Sequence, residues 1–375
     1  METGTRALKG WGYGLLLGAL AAASTSASFV WAQTQPVAKA SSSAQAASPA
    51  TPSQRISLKP RHTLRLDAAG KTASLSTEDQ HASQLRTWAL PQQRLGASLT
   101  RMADGKVLIW GGTDAKGSLV EGGLLIDPRQ EGIQSIAPAG LQARARHSVT
   151  VLTDGSVLLA GGKGHPDQAQ RWNPQTQAVV TLSMPARLGH QATLQADGQV
   201  RLSGGTDADG VSRGDLLFNP SDDTFSPAPP TWTAPKQTAL AASLPATKAA
   251  DVDPGARVAV RFTRPVQTQD VKDNKVSLMG PAGLVEARVT SAEGGRLVFV
   301  QPDAPLFPDT DYTVLIEGLK TLGGESVPLA VIEFKTRAIA GASQPATATG
   351  QPLSAAAKAR QMAALLGCGK DHPQP

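Results

Sequence analysis

Cysteine, tyrosine and long apolar runs are scarce in this sequence, and each scarcity closes off a class of protein. A single cysteine, Cys368, stands in 375 residues, so no intrachain disulfide can form and each domain must rest on its packed core. Cys368 reads as an idle thiol, or as one that pairs with another chain. Charged residues make up 18% and aromatic residues 4% of the chain. The formal charge is +6, and loss of Arg6, Lys9 and Glu2 with residues 1–32 would leave +5. Lys and Arg are scattered, with no dense cluster and no stacking aromatics beside one, which argues against a nucleic-acid partner. The longest apolar run, Trp11–Ala23, is too short and too flanked by Ser and Thr for a comfortable spanning helix, an uncleaved anchor being the alternative. His81, His165 and His372 are isolated, with no His/Cys spacing for zinc. No glycine loop suited to cradling phosphate is present, nor a close acid pair flanked by aromatics for glycoside cleavage. No catalytic residue and no cofactor is expected.

Glycine and proline are plentiful, at 37 and 27 residues, as many short strands joined by turns require. Between Arg94 and Pro229 one pattern is written three times. Each copy has an arginine (Arg94, Arg144, Arg187), an Asp-Gly turn (Gly105, Gly155, Gly198) and, five residues on, a glycine pair. The pairs are Gly111-Gly112, Gly161-Gly162 and Gly204-Gly205. Each copy then closes on an apolar residue before Asp-Pro or Asn-Pro: Ile126-Asp127-Pro128, Trp172-Asn173-Pro174 and Phe218-Asn219-Pro220. The turn glycines lie 50 and 43 residues apart, a period that marks a β-propeller or another stacked array. Within a copy, Ser148–Thr153 and Ser156–Ala160 are β-rich runs on either side of Asp154-Gly155, a dipeptide that favours a hairpin turn. Four short strands per copy make one blade. Residues 58–92 read as a worn fourth copy, with Arg61-His62 and Gly70 at the spacing of Arg146-His147 and Gly155. Ser76-Thr77 then stands where the glycine pair should be, and Trp88 belongs to the last strand.

The pattern of basic residue, histidine-bearing first strand, turn glycine, glycine pair and aromatic before Asp/Asn-Pro resembles kelch repeats. The resemblance covers about 135 residues, or about 170 with the worn copy. It departs at Ile126, where an aromatic is usual, and in blade number, since kelch propellers generally have six or seven blades. A small ring, an open row or blades shared between chains would each fit. Secreted kelch propellers with an Ig-like partner include copper-radical oxidases similar to galactose oxidase. That chemistry needs a tyrosine linked to a cysteine, a second tyrosine and paired histidines. Here the tyrosines are Tyr13, in the N-terminal apolar segment, and Tyr312, in a later strand, so the set cannot be assembled.

Residues 1–32 have the layout of a secretory signal, with Arg6 and Lys9 before the apolar run and Val30-Trp31-Ala32 as cleavage site. Residues 33–57 are an Ala/Ser/Gln/Pro/Thr leader, 58–229 the blades, and 230–243 a connector. Residues 244–337 form a second all-β unit, with alternating strands such as Val258–Phe262, Tyr312–Ile316 and Val331–Phe334. The order Val258–Phe262, Pro302, Leu306, Tyr312-Thr-Val, Gly318-Leu-Lys resembles the bacterial Ig-like domain of S-layer and other surface proteins. Residues 338–375 are an Ala/Pro/Gln-rich tail with one short helix at 353–366. The expected fold class is therefore all-β: a small or incomplete propeller of three clear blades and one degenerate one, followed by an Ig-like sandwich.

His147 and His190 recur at one slot of the repeat, which points to packing rather than a site. Asp207-Ala-Asp209-Gly210 could hold calcium, although the equivalent loop has Lys116 in a ligand position. Propeller ligands sit on the loops at the ends of the blades, here 113–123, 163–170 and 206–214. The expected function is an exported, non-enzymatic binding or adhesion module for a protein or cell-surface glycan, in the periplasm or at the cell surface. It would be no integral membrane protein once the signal is removed. The pairing of domains also resembles the head of longer surface polypeptides with RHS-type repeats. An envelope carbohydrate-active enzyme and a structural protein that self-associates through open blade edges are the alternatives.

Overall fold

The computed structural model describes residues 54–59, 62–77, 84–230, 238–271 and 275–339. The expected signal, leader and tail helix lie outside them. Four sheets of four antiparallel strands come first. Blade I comprises β1 (Arg55–Lys59), β2 (His62–Leu66), β3 (Thr72–Thr77) and β4 (Gln84–Ala89). Blade II comprises β5 (Ser98–Arg101), β6 (Val107–Trp110), β7 (Gly123–Ile126) and β8 (Ile133–Ile136). Blade III comprises β9 (Ser148–Val151), β10 (Val157–Ala160), β11 (Gln168–Trp172) and β12 (Val179–Ser183). Blade IV comprises β13 (Gln191–Leu194), β14 (Val200–Ser203), β15 (Leu216–Asn219) and β16 (Thr224–Pro227). The strands pair in chain order within each sheet, and the first strands β1, β5, β9 and β13 neighbour one another in sequence.

Alternation along the strands sends successive side chains to opposite faces, and this builds the stack. Val107 and Ile109 of blade II meet Leu64, Leu66, Leu75 and Trp88 of blade I. Leu108 and Trp110, on the other face, join the blade III core. Blade IV repeats the inner half of this scheme, with Val200, Leu202 and Phe218 in the core. Its outer half differs. Where blades II and III carry Leu108/Trp110 and Leu158/Ala160, blade IV carries Arg201 and Ser203, both bonded to Asp215 at 2.8 and 3.1 Å. Gln191 and Thr193 beside them are exposed. Blade I is polar on its outward side too, through Arg65, Ser74 and Ser76. A repeat array ends soluble when its terminal units carry polar outer faces, and both ends of this row do.

The glycine pairs explain how blades meet. A Cβ at Gly111 would lie 2.0 Å from the Arg144 carbonyl oxygen of the next blade, and one at Gly161 would lie 2.4 Å from that of Arg187. No side chain fits at such distances, and both glycines also hold positive φ, +63° and +58°. The following glycines, Gly112 and Gly162, donate to the same carbonyls at 2.8 and 3.0 Å. Gly70 does this work in blade I, at φ +63° and with its carbonyl accepting the Arg94 N–H at 2.8 Å. This corrects the reading of the worn copy. Gly70 corresponds to Gly111 and not to the turn glycine Gly155, because β1 precedes His62 and the blade begins at Arg55. Gly204 has the same conformation, φ +66°, but a Cβ there would meet no atom within 4 Å.

The second unit is a sandwich of two sheets, with four and five strands. One sheet has the order β17 (Leu240–Leu244), β19 (Val258–Phe262), β23 (Leu297–Pro302), β22 (Ala287–Ala292). The other has the order β18 (Ala249–Val252), β25 (Ala330–Thr336), β24 (Asp311–Ile316), β20 (Val276–Gly280), β21 (Gly283–Val285). Val258, Val260, Val298 and Val300 fill its core with Tyr312, Val314 and Phe334. The alternate residues Ala259, Leu297 and Phe299 belong instead to the blade core. The central strands β19 and β23 are therefore buried on both faces.

Candidate functional site

Each blade has two ends, and the sandwich occupies one of them. The Asp-Gly turns end β5, β9 and β13, and all three glycines abut the sandwich: Gly105 at Thr290, Gly155 at Arg257 and Gly198 at Arg261. Blade I touches it through Ser57, whose hydroxyl accepts from Thr268 at 3.3 Å. Arg288 donates to the Asp104 carbonyl at 3.3 Å. Arg261 donates to the Ala196 carbonyl at 2.9 Å and to Thr153 Oγ1 at 2.6 Å. Glu293, on a turn between β22 and β23, accepts the Val151 N–H at 2.7 Å. Burial pushes that carboxyl up to about 7, and the hydrogen bond pulls it the other way.

The opposite end carries the three candidate loops, and the repeat arginines hold their bases. Arg94 donates to the carbonyls of Gly111, Gly122 and Glu121 at 2.9, 2.9 and 3.2 Å. Arg144 donates to Gly161, His165 and Gln168 at 3.1, 3.0 and 2.7 Å. Arg187 donates to Leu202, Gly204 and Gly214 at 3.2, 2.9 and 2.6 Å. Burial lowers the Arg144 guanidinium to about 10, so it stays charged at neutral pH. A cation that satisfies three carbonyls each time preorganises the loop it closes. Lys163 Nζ further ties loop 163–170 to the Gly117 carbonyl at 2.8 Å.

At Asp207 the bonding is that of an ordinary hairpin loop. The Asp207 carboxylate accepts the Asp209 and Val211 N–H groups at 3.0 and 2.8 Å. It is also paired with Arg213 at 2.5 Å. A guanidinium stands where the cation would go. The Val211 N–H and then the Arg213 charge hold this carboxyl below its usual range. Asp114 makes the same turn, accepting from Lys116 and Ser118 at 2.9 Å each. Among the described residues no cluster of His, Cys, Asp or Glu could hold a metal.

His147 and His190 are buried between blades, each beside the second glycine of its own pair, Gly162 and Gly205. His190 Nε2 and Ser148 Oγ share a hydrogen bond of 2.8 Å across blades III and IV. The corresponding groups one blade earlier, His147 and Ser98, are buried with their polar atoms unpaired. Burial is the main cause that lowers His147 to about 3 and His190 to about 4. Tyr312 is a sandwich residue: its hydroxyl accepts the Phe307 N–H at 2.9 Å, and its ring stacks on Phe334.

Two features of the loop end need the structure to be read. Gly210-Val-Ser-Arg-Gly214 spells Gly-x-Ser-x-Gly, yet Ser212 bridges Thr206 within a hairpin loop, without the strand-to-helix turn that a nucleophile elbow requires. Arg146 is the other. It occupies the repeat position of Gly96 and Gly189, accepting the Gly189 N–H at 3.0 Å and donating to the Gly96 carbonyl at 2.8 Å. Its φ of +56° matches the glycines at +67° and +66°, a conformation that costs a side-chain-bearing residue about 1–2 kcal/mol. The side chain is exposed and lies along Gly189, with Nη2 3.4 Å from where a Cβ would be. Only the unusual Arg in a Gly slot could have signalled it from sequence.

No curated protein matches the chain. Among solved structures, it is similar to a fungal alcohol oxidase of the AA5 family in complex with copper, with TM-score 0.37 and 14% identity over 76% of this chain and 63% of that one. This chain thus covers less than two thirds of that oxidase. It is also similar to YjhT, with TM-score 0.39 and 12% identity over 76% of this chain and 99% of that one. A third similarity is to the N-terminal part of the bacterial S-layer protein SbsC, with TM-score 0.22 and 21% identity over 27% and 24%. These likenesses are too distant to carry an activity across. The sandwich is the part with a family: residues 233–336 match the bacterial Ig-like domain.

Proposed function

We propose that this chain is an exported, non-catalytic binding module that holds a protein or cell-surface glycan on the loop end of its kelch-like blades. The Ig-like sandwich is the base that braces the blades from beneath. The observation that carries this reading is Arg146. A strained, exposed cation held between two glycines, at the end of the blades away from the sandwich, is costly for stability and so has a use there. The three arginine-stapled loops around it offer a preorganised, polar surface. The polar outer faces of blades I and IV weigh against assembly by end-to-end stacking, the alternative raised by an open row.

Replacing Arg146 with glycine restores the residue used by the neighbouring repeats. The expected outcome is a variant as stable as the parent or up to about 1 kcal/mol more stable. Titrated as labelled full-length protein against intact bacterial cells and isolated envelope polysaccharide, R146G should bind about tenfold more weakly. Equal binding by both proteins, or no saturable binding by either, would remove the loop end as the site.

A further inference from the structure

We infer that the C-terminal segment 353–366 packs across the outward face of the sandwich and covers it. One sheet of the sandwich turns its outer side into the blade core, through Ala259, Leu297 and Phe299. The other sheet, β18-β25-β24-β20-β21, turns its outer side away from the blades. A sheet with one face in water alternates apolar inward and polar outward residues. This one departs from that rule. Its outward positions alternate with the buried Leu278, Val314, Ile316 and Ile332. They place Leu315 opposite Val331, and Met279 opposite Leu284. Ser277 and Thr313 pair with Leu315 and Met279, so the four apolar side chains form one band across four strands. Leu284 is 68% exposed, Val331 47% and the neighbouring Leu329 62%. Single exposed apolar residues are ordinary, but a contiguous band of them marks a contact surface.

The chain carries its own cover for this band. Beyond β25, in this same sheet, the described chain ends at Ile339. The span from β25 to β21 is three strand spacings, about 15 Å, and residues 340–352 can extend over about 40 Å. The sequence predicts a helix over 353–366, about 21 Å long, close to the length of β25, about 23 Å. Helical spacing sets Ala355, Ala359, Met362 and Leu366 on one face, with Arg360 and Gln361 opposite. The alanines allow a close approach to the sheet, and Met362 and Leu366 supply the apolar bulk. A helix of this length is marginal alone in water and needs a face to pack on. Charge agrees with this placement. Residues 340–366 contain Lys358 and Arg360 and no acid. The outward charges of β24 and β25 are Asp311, Glu333 and Lys335, and Lys335 is paired with Asp309 at 2.6 Å. Carboxylates are thus in excess on the face. A second copy of the chain laid on it would bring those acids against their own kind.

Hydrogen–deuterium exchange of the full-length protein tests the assignment. Amides of 353–366 should exchange at least about tenfold more slowly than those of an unstructured chain. The double variant Leu315→Lys, Val331→Lys on the face should return them to the unstructured rate. Met362→Asp in the tail should do the same, and it leaves the sheet unaltered, so its effect is read even where the face variant loses its fold. Amides of β19 and β23 should stay as protected as in the parent. Exchange of 353–366 at the unstructured rate in the parent would overturn the assignment, as would protection that survives either variant. Protection that fades when the protein is diluted would give the face to a second copy and overturn it equally.

Discussion

Gly111→Ala is expected to cost more than about 4 kcal/mol, a loss that few single substitutions reach, whereas Gly204→Ala costs about 1 kcal/mol. The two glycines stand at the same repeat position with nearly the same backbone, φ +63° and +66°, so the penalty of a left-handed alanine is common to both. They differ in what lies beyond. The new methyl at 111 meets the Arg144 carbonyl oxygen at 2.0 Å, and at 204 it meets nothing within 4 Å. Relief at 111 requires blades II and III to part. Parting them opens the packing of Leu108 and Trp110 against blade III and breaks the Gly112–Arg144 hydrogen bond. Chemical denaturation of the two variants beside the parent measures the difference directly. Similar losses at both positions would mean that blade contact is not what the glycine pair serves.

Acid should unfold this protein, and the two repeat histidines should account for most of it. Burial holds His147 down to about 3 and His190 down to about 4 in the folded chain, against an ordinary 6.5. Between those values and 6.5 the unfolded chain binds a proton that the folded chain refuses. Their stabilising effect is complete above pH 6.5 and is lost as the pH falls. Each proton is worth about 1.4 kcal/mol per pH unit. Glu293 works in the opposite sense. Its carboxyl, pushed up by burial to about 7 from an ordinary 4.5, favours the folded state progressively as the pH drops from 7 to 4.5. The net dependence is thus about one proton from pH 6.5 to 4.5, a loss of roughly 2–3 kcal/mol, and steeper below. Alanine already fills the histidine slot in blade II, as Ala97. The double variant His147→Ala, His190→Ala should therefore fold, be less stable at neutral pH through lost packing, and show no decline between pH 6.5 and 4.5, where Glu293 alone makes it somewhat more stable as the pH falls. Thermal melts across that range give the comparison, and an unchanged slope would locate acid sensitivity elsewhere.

Most of the blade architecture was legible because its physics is local and repeated. Asp-Gly turns, β-rich runs and glycine pairs stand at fixed offsets, and each marked a real turn, strand or contact. Blade I was misaligned because a glycine's spelling does not say whether it serves a turn or a close approach. Gly70 and Gly155 both hold positive φ, +63° and +83°, and only the neighbouring Arg94 tells them apart. The end of the row was also written in the sequence, at Arg201 and Ser203, but only a register that places them opposite Leu108 and Trp110 makes it readable. The docking of the sandwich had one visible sign. Leu297–Val300 is apolar at every position and fully buried, as a strand covered on both faces must be, whereas alternation alone suggests one wet face. Calcium and an ordinary hairpin loop both stayed open at Asp207 in the sequence because only the fold returns Arg213 to that carboxylate.

The central claim is that one chain ends its own row of blades, with polar faces on I and IV and the sandwich beneath. Light scattering on the purified protein across a wide dilution series tests this most directly. A monomer at every concentration is the predicted result. A defined dimer that dissociates on dilution, and that persists when Arg201 or Ser203 is exchanged for the leucine or tryptophan of blade II, would contradict it by showing that blades are completed between chains.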